Sequence, residues 1–342
     1  MKRIAVIGDG GWGTALAILL AGKGEKVVLW SNFPDYAEEL RASRENRKFL
    51  PGVKIPSQIE ITADLGGAVK DAELLVSAVP VIYLRSVMTR LAKEVAMAPL
   101  APSPLATVPI VSVAKGIENG TLMRGSEIIA DCLGAQRIAV LSGPSHAEEV
   151  SRGLPATVVA SARDMTLARE IQQTFMTQRF RVYTNPDMVG VELGAAVKNV
   201  IAIAAGILDG LGLGDNAKSA LITRGLAEIT RLGVAMGADA RTFAGLAGLG
   251  DLITTCISPH GRNRAVGMAI GKGKRLKEVL AGMEMVAEGV MTTKSVCALA
   301  ARHGVEMPIT AEVHKVLFED KDPRQALADL MMRQAKAEIE GQ

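Results

Sequence analysis

Short, continuous runs of apolar and β-branched residues alternate with helix-length segments over the first half of the chain. Seven such runs lie at residues 3–8, 26–30, 73–79, 109–114, 137–142, 156–161 and 179–183. Because hydrophobicity is continuous within each run, the runs are typical of strands covered on both faces, as in a parallel sheet. Strands that alternate with helices favour right-handed crossovers, so the sequence predicts an open, doubly wound α/β sheet. An Ala/Pro-rich stretch at 96–106 is expected to form a surface loop.

The pattern changes after the Asn-Pro pair at 185–186. Helix-length segments separated by glycine-rich breaks follow at 189–207, 217–236, 291–302 and 311–318. Pro308 and Pro323 suit early helix positions, where a missing N–H costs nothing. We therefore expect an α/β domain over residues 1–187 and an all-helical domain over residues 188–342.

Length and composition exclude several classes of protein. The 342 residues are enough for two domains with a sizeable core, and 49% of them are apolar while 22% are charged. This composition excludes intrinsic disorder, which needs low hydrophobicity and high net charge. The formal net charge is only +3, and no dense Lys/Arg run with interleaved aromatic residues occurs, so no nucleic-acid partner is expected.

The cysteines, histidines and apolar runs predict a cytoplasmic protein without a bound metal. Cys132, Cys256 and Cys297 are far apart and odd in number, which favours a reducing compartment over a disulfide framework or a metal site. The four histidines form no H-x-x-x-H pair. No apolar run reaches the roughly 18 residues that a spanning helix needs, so no membrane partner is expected.

A glycine-rich turn follows the first predicted strand directly. Residues 8–13, G-D-G-G-W-G, match G-x-G-x-x-G, and a helical pattern continues from them. In such a turn Gly8 makes the tight bend, Gly10 lets a pyrophosphate approach the backbone, and Gly13 lets helix and strand pack closely. The helix N-terminus adds free N–H groups and a positive dipole end. The strand before and the helix after distinguish this segment from an ordinary glycine-rich turn, so it predicts dinucleotide binding.

The residue just past the second strand usually selects the dinucleotide. An acid there holds the ribose 2′-hydroxyl of NAD, whereas a basic residue accommodates the 2′-phosphate of NADP. This chain has Ser31, Asn32 and Phe33 at that place, and Asp35 follows too late. The sequence therefore leaves open whether the cofactor is NAD or NADP.

Three charged residues stand in apolar or strand-end surroundings. Lys198 lies in G-A-A-V-K-N-V-I-A-I-A, a helix apolar on all sides, which is normally buried. Burial would lower the pKa of its ammonium toward the range useful for proton transfer, although a lysine can also extend to solvent. Lys115 follows a strand end, where α/β sheets bind ligands, or is a surface cation. Asp251, among small apolar residues, needs a partner cation or caps a helix.

Weaker candidates complete this set. The segment S-G-P-S-H at 142–146 also follows a strand end, but a turn with Pro at a preferred position explains it equally well. Arg262 beside Asn263 suits bidentate phosphate binding, with a surface salt bridge as the alternative. Glu288 is either a site residue or a solvated helix start.

Taken together, these segments make the chain closely similar to the bacterial-type NAD(P)-dependent sn-glycerol-3-phosphate dehydrogenases. The similarity runs from Ile4 to about Leu330 and is carried by V-I-G-D-G-G-W-G-T-A-L-A, V-A-K-G-I-E, L-S-G-P-S-H-A-E-E, G-A-A-V-K-N-V-I-A-I, A-L-I-T-R-G-L-A-E, A-G-L-G-D-L-I-T-T-C and G-R-N-R. The resemblance implies a Rossmann-like N-terminal domain, a helical C-terminal domain for substrate binding and dimerisation, and a homodimer. It also implies reversible hydride transfer between NAD(P)H and dihydroxyacetone phosphate, giving sn-glycerol 3-phosphate for glycerophospholipid synthesis.

The resemblance assigns roles to residues at matching positions. Lys198 is the expected proton donor and acceptor, with Lys115 and Asp251 as further catalytic residues. The expected cofactor-binding residues are Gly8, Gly10, Gly11, Trp12, Gly13, Asn32, Lys115, Ala147, Arg262, Val286 and Glu288. The expected substrate-binding residues are Lys115, Gly143, Ser145, Lys198, Asp251, Arg262 and Asn263.

The chain departs from the family pattern at four places. Gly11 and Gly261 stand where the family commonly has Ser, so two hydroxyl groups are missing. Asn32-Phe33 lacks the basic residue or His often found there, and His146 replaces a common Phe. Two alternatives remain: a related two-domain dehydrogenase for another small acid or sugar phosphate, and a non-catalytic dinucleotide sensor. The two lysines argue against a sensor, which needs no proton donor.

Overall fold

The computed structural model describes residues 1–97, 104–283, 286–335 and 337–338, and the first half of the chain forms an eight-stranded sheet. Its strands are β1 (Arg3–Ile7), β2 (Lys26–Trp30), β3 (Glu60–Thr62), β4 (Leu74–Ser77), β5 (Ile110–Ser112), β6 (Ile138–Ser142), β7 (Ala156–Ala162) and β8 (Phe180–Asn185). They lie in the order β3-β2-β1-β4-β5-β6-β7-β8, and every neighbouring pair except β6–β7 is parallel. The order of the first six is that of dinucleotide-binding sheets, which confirms the predicted fold class.

Helices cover both faces of this sheet. They are α1 (Gly11–Gly22), α2 (Pro34–Ser43), α3 (Leu65–Val69), α4 (Val81–Met97), α5 (Gly125–Leu133), α6 (Ala147–Val150) and α7 (Met165–Phe175). Alternate residues of β1 enter two separate cores, Ile4 and Val6 on one face and Ala5 and Ile7 on the other. This two-sided burial is why the strand sequences are continuously apolar.

Three details differ from the sequence-based expectation. The short strand β3 was not predicted, because E-I-T is too brief to show a period and only its middle residue is buried. Strand β7 runs antiparallel to β6, since the connection holds only the four-residue α6 and turns back at the same sheet edge. Of the expected loop at 96–106, residues 96–97 belong to α4, residues 104–106 form a 3₁₀ turn, and residues 98–103 lie outside the described part.

The second half of the chain is helical. Its helices are α8 (Met188–Leu211), α9 (Gly214–Ala235), α10 (Ala240–Phe243), α11 (Asp251–Ile257), α12 (Arg262–Gly271), α13 (Leu276–Ala281), α14 (Glu288–His303), α15 (Pro308–Phe318) and α16 (Pro323–Met331). All four predicted helices are present, and Pro308 and Pro323 occupy first-turn positions as expected. A third apolar core, separate from the two sheet cores, is built around α8.

Helix α8 corrects the expectation about membrane-length segments. Within the described ranges it is the one helix long and apolar enough to cross a bilayer, with a mean hydropathy of 1.7 over its best window. The expectation failed because it counted uninterrupted apolar residues, whereas a helix of this length can include Glu192 and Lys198. The whole window is buried inside the protein, so α8 is a core helix.

Glycines allow α8 and α12 to cross at unusually close range. A methyl group on Gly206 would stand 2.0 Å from the carbonyl oxygen of Arg264, and one on Gly267 would stand 1.9 Å from that of Ile203. Because Lys198 lies on α8 and Arg262 begins α12, this crossing sets the separation of two predicted site residues.

We expect Gly267→Ala to lower the free energy of unfolding by about 2 kcal/mol or more, because the added methyl group meets a backbone oxygen that cannot rotate away. Urea unfolding measures the change. Gly22→Ala is the matched control, since no described atom lies within 4 Å of its new methyl group. Equal stability of the two variants would contradict the close crossing of α8 and α12.

Candidate active site

Three charged side chains from distant segments meet beside the carboxyl edge of the sheet. Lys115 follows β5, Lys198 lies in the middle of α8, and Asp251 begins α11. The Lys198 Nζ lies 2.6 Å from Asp251 Oδ1, and the Lys115 Nζ lies 3.0 Å from Asp251 Oδ2. One carboxylate therefore bridges two ammonium groups, and the three predicted catalytic residues form a single cluster.

The cluster is largely removed from solvent. Lys198 is 4% exposed and Asp251 is 2% exposed, so the alternative in which Lys198 extends to solvent is wrong. The Lys198 Nζ also donates a hydrogen bond to Thr255 Oγ1 at 2.7 Å, and that hydroxyl donates to the carbonyl oxygen of Asp251 at 2.6 Å. Sequence reasoning missed Thr255, although its place four residues after Asp251 puts both on one helix face.

Burial and the neighbouring charges set the protonation of this cluster. Burial, opposed by Asp251 and assisted by the like charge of Lys115, lowers the pKa of Lys198 to about 7. Burial alone would raise the pKa of Asp251, but the two ammonium groups outweigh it and hold that pKa below its ordinary value. Asp251 is thus a fixed negative charge, and Lys198 can exist in both forms near neutral pH.

The loop after β6 lies against Lys115. The Lys115 Nζ donates to the carbonyl oxygen of Gly143 at 3.2 Å, and the Ser145 hydroxyl donates to the same oxygen at 2.9 Å. Gly143 has φ +143°, and a methyl group there would stand 2.9 Å from Val158 Cα on β7. A glycine is therefore required at this bend, which brings Ser145 to the cluster.

Residues around the start of α12 form another side of the site. Asn263 is buried, and its Oδ1 accepts the N–H of Gly289 at 3.0 Å. Arg262 is exposed, and its Nη1 donates to the carbonyl oxygen of Val286 at 2.8 Å. Arg262 Nη1 is the one guanidinium nitrogen for which the described residues show a hydrogen-bond partner.

Glu288, at the start of α14, connects the helical half of the chain to α4 in the sheet half. Its Oε1 accepts the N–H of Val81, the first residue of α4, at 3.2 Å. Burial raises the pKa of Glu288 above its ordinary value, against the opposing charge of Arg262. Through these hydrogen bonds Val286 contacts Arg262 and Glu288 contacts α4. Their cofactor contacts stay a prediction.

The glycine turn has the shape that each of its three motif glycines predicts. Gly8 has φ +114°, and a methyl group on Gly13 would stand 2.0 Å from the Gly8 carbonyl oxygen, so turn and helix are in direct contact. At Gly10, by contrast, no described atom lies within 4 Å of an added methyl group. The buried Trp12 Nε1 has no hydrogen-bond partner among the described residues. An open backbone at a helix N-terminus with an unpaired donor fits an anionic dinucleotide.

The two glycine departures lie in restricted space, severely so at Gly11 and more mildly at Gly261. A methyl group on Gly11 would stand 2.6 Å from the Phe49 carbonyl oxygen and 3.6 Å from Ala147 Cβ, so the 44–50 loop occupies the space of a side chain. A methyl group on Gly261 would stand 3.0 Å from the Thr255 carbonyl oxygen. The contact with Gly11 also places Ala147 beside the turn.

His146 faces the lysine cluster from the start of α6. Its Nε2 is buried and has no partner within the described part of the chain, and its ring lies 5.9 Å from that of His260. Burial, Lys115 and Lys198 lower the pKa of His146, so the imidazole is neutral at physiological pH. His260 had no predicted role, and no sequence pattern indicated this pair.

The residues that usually select between NAD and NADP lie just past the end of β2. Asn32 and Phe33 are both exposed there, whereas Ser31 is buried. The Ser31 hydroxyl donates to Asp9 Oδ2 at 2.6 Å. Sequence reasoning passed over Asp9 because it occupies a variable position of the glycine motif.

Known proteins resemble this chain over nearly its whole length. The family profiles "NAD-dependent glycerol-3-phosphate dehydrogenase N-terminus" and "C-terminus" match residues 3–168 and 187–328. A glycerol-3-phosphate dehydrogenase, NAD(P)+-dependent by name, from Chlorobium phaeobacteroides is 52% identical over 340 residues, which are 98% of this chain and 99% of that protein.

Solved structures agree. A glycerol-3-phosphate dehydrogenase from Coxiella burnetii is 41% identical, with a TM-score of 0.90 over 97% of this chain and 99% of its own. A ketopantoate reductase from Ralstonia eutropha shares the fold alone, with 13% identity and a TM-score of 0.60 over 95% of this chain and 99% of its own. With both halves matched by one family, the chain belongs to the NAD-dependent glycerol-3-phosphate dehydrogenases.

Proposed function

We propose that this protein reversibly reduces dihydroxyacetone phosphate to sn-glycerol 3-phosphate with NADH or NADPH, using Lys198 as proton donor and acceptor. The observation that carries this proposal is the buried Lys198–Asp251–Lys115 cluster beside the edge of a dinucleotide-type sheet. Membership of the family supplies the reaction, the oxidoreductase class and the substrate. The product is a precursor for glycerophospholipid synthesis.

The residues that hold the dinucleotide surround the glycine turn. Gly8, Gly10 and Gly13 shape the backbone that meets the pyrophosphate, and α1 directs its N-terminal N–H groups there. Further contacts come from Gly11, Trp12, Asn32, Lys115, Ala147, Arg262, Val286 and Glu288. When bound, the nicotinamide supplies hydride to the ketone carbon or accepts it from the alcohol.

Lys198 controls the proton at the reacting oxygen. As hydride reaches the ketone carbon, the oxygen becomes an alkoxide that needs a proton and nearby positive charge. A pKa of about 7 lets Lys198 donate that proton and, in the reverse direction, accept it. Lys115 adds a second positive charge, and Asp251 fixes both ammonium groups by direct contact.

The substrate's phosphate binds away from the reacting carbon. Arg262 provides the guanidinium and Asn263 an amide at the N-terminus of α12, and Gly143 and Ser145 provide the further substrate contacts. Binding energy from a remote phosphate orients the reacting carbon and so contributes to the rate.

The proposal extends to the organisation of the protein. Residues 1–187 bind the dinucleotide, and residues 188–342 bind substrate and form a homodimer in the cytoplasm, without a nucleic-acid or membrane partner. The end of β8 at Asn185, the start of α8 at Met188 and the separate helical core support the division. Burial of α8 supports the absence of a membrane span.

We expect purified protein to oxidise NADH or NADPH with dihydroxyacetone phosphate, and Lys198→Ala to lose nearly all kcat because no proton donor remains. Absorbance of the reduced nicotinamide measures both rates. Lys294→Ala, which removes an exposed lysine from α14, is the control and should match the wild type.

Substantial turnover by Lys198→Ala would overturn the role of Lys198. Turnover with 6-phosphogluconate or ketopantoate instead would overturn the substrate, and cofactor binding without any turnover would favour a sensor.

The pH dependence should run in opposite directions for the two reactions. Since oxidation of glycerol 3-phosphate needs neutral Lys198, its kcat/KM should rise as pH increases through about 7, while kcat/KM for the reduction should fall. Asp251→Asn removes the charge that raises the pKa of Lys198, so the titration should move to lower pH. NMR of labelled lysine in the cofactor-free protein checks this shift without activity. If the pKa of Lys198 in Asp251→Asn equals that in the wild type, the assigned electrostatic coupling between Lys198 and Asp251 is wrong.

Gly10→Ala should separate folding from cofactor binding. The new methyl group meets no described protein atom and suits the backbone angles of Gly10, yet it projects toward the expected pyrophosphate. We expect an unchanged melting temperature and NADH binding weakened about tenfold or more. Fluorescence titration measures the binding, with Gly22→Ala at the other end of α1 as control. Unchanged affinity would place the dinucleotide elsewhere.

A further inference from the structure

We propose that Asp9 makes this protein select a dinucleotide with a free ribose 2′-hydroxyl, NAD(H), over the 2′-phosphorylated NADP(H). The inference rests on the proposed function in one respect, namely that the glycine turn binds the dinucleotide. The selecting position in such folds lies just past the second strand, where an acid favours NAD. This chain has no acid in sequence at that position, but the structure brings one there from the turn.

The carboxylate of Asp9 reaches the end of β2. Asp9 lies between Gly8 and Gly10, and its Oδ2 accepts a hydrogen bond from the Ser31 hydroxyl at 2.6 Å. Ser31 is fully buried and is the first residue after β2. The glycine turn lies directly beside the end of β2, since the Gly8 N–H donates to the Trp30 carbonyl oxygen at 3.2 Å. The turn therefore supplies the negative charge that dinucleotide-binding sheets usually carry past the second strand.

The backbone of Asp9 is anchored from a second direction. The buried Asn46 donates its Nδ2 to the Asp9 carbonyl oxygen at 2.6 Å and to Thr14 Oγ1 at 2.7 Å. The Thr14 hydroxyl donates to the same carbonyl oxygen at 3.2 Å. With its main chain and its carboxylate both held, Asp9 presents a fixed acceptor.

The charge of Asp9 is not neutralised by a close partner. Over the described ranges Asp9 forms no salt bridge, and Asn32 and Phe33 add no cation. Lys48, whose charge acts on the Asp9 carboxylate, is exposed, and its ammonium lies over the Phe49 ring at 5.2 Å from the centroid. Solvent screens an exposed ammonium far more than a partly buried carboxylate.

The fixed, uncompensated charge of Asp9 favours binding of NAD(H) and disfavours binding of NADP(H). A ribose hydroxyl can donate a charge-assisted hydrogen bond to the carboxylate. A 2′-phosphate brings a second negative charge to the same place, and unpaired like charges in a binding site strongly disfavour the complex.

Calorimetric titration of the cofactor-free protein with 5′-AMP and with 2′,5′-ADP tests the inference without catalysis. We expect the wild type to bind 5′-AMP more tightly by about tenfold or more, and Asp9→Asn to reduce that ratio by about tenfold. The ratio of kcat/KM for NADH and NADPH should change in parallel. Asp35→Asn removes an equal charge from the exposed first turn of α2 and should leave both ratios unchanged.

The possible results are distinguishable. A wild type that binds both nucleotides equally, or an Asp9→Asn variant with an unchanged ratio, would overturn the role of Asp9. Selective loss of 2′,5′-ADP binding in Lys48→Ala would show instead that the site is built for a 2′-phosphate. Failure of both nucleotides and both cofactors to bind would count against the proposed function itself, and not against the selection by Asp9.

Discussion

The carboxylate of Asp251 holds two ammonium groups that come from different halves of the chain. Lys115 belongs to the sheet and Lys198 to the helical core, and each is within 3.0 Å of one carboxylate oxygen. Removing any one of these charges from water is costly unless an opposite charge compensates it. Because Asp251 supplies that compensation for both lysines, the same contacts that join the two halves also assemble the proposed chemistry.

The apolar character of α8 gives Lys198 its chemistry. An all-round apolar helix surrounds the ammonium with groups that cannot solvate it, which lowers its pKa more than one carboxylate can restore. The feature that makes α8 resemble a membrane span is therefore the feature that lowers the pKa of the proposed proton donor. A more polar helix at this place would leave Lys198 protonated throughout the neutral range, and so without the neutral form that the proposed oxidative reaction needs.

Strands and site residues could be predicted from the sequence where a residue pattern is compatible with only one structural environment. Apolar runs identified every strand of the sheet except β3, and Lys198 and Asp251 were conspicuous as charges among small apolar residues. The direction of β7 was not predictable, because it follows from how a short connection turns at the sheet edge. Thr255 and His260 were missed for a related reason. Their importance lies in contacts with Lys198 and His146, which only the folded chain creates.

Gly11, which stands where the family commonly has Ser, affects how firmly the Asp9 backbone is held. The absent side chain leaves room for the Phe49 carbonyl oxygen, so the 44–50 loop packs directly on the glycine turn. Asn46 in that loop accepts the Phe49 N–H through Oδ1 at 3.0 Å and holds the Asp9 backbone through Nδ2. A serine at position 11 would push this loop away and loosen Asp9. Under the proposed cofactor placement, Gly11 thus gives up one hydroxyl near the phosphates and keeps the Asp9 carboxylate fixed near the ribose.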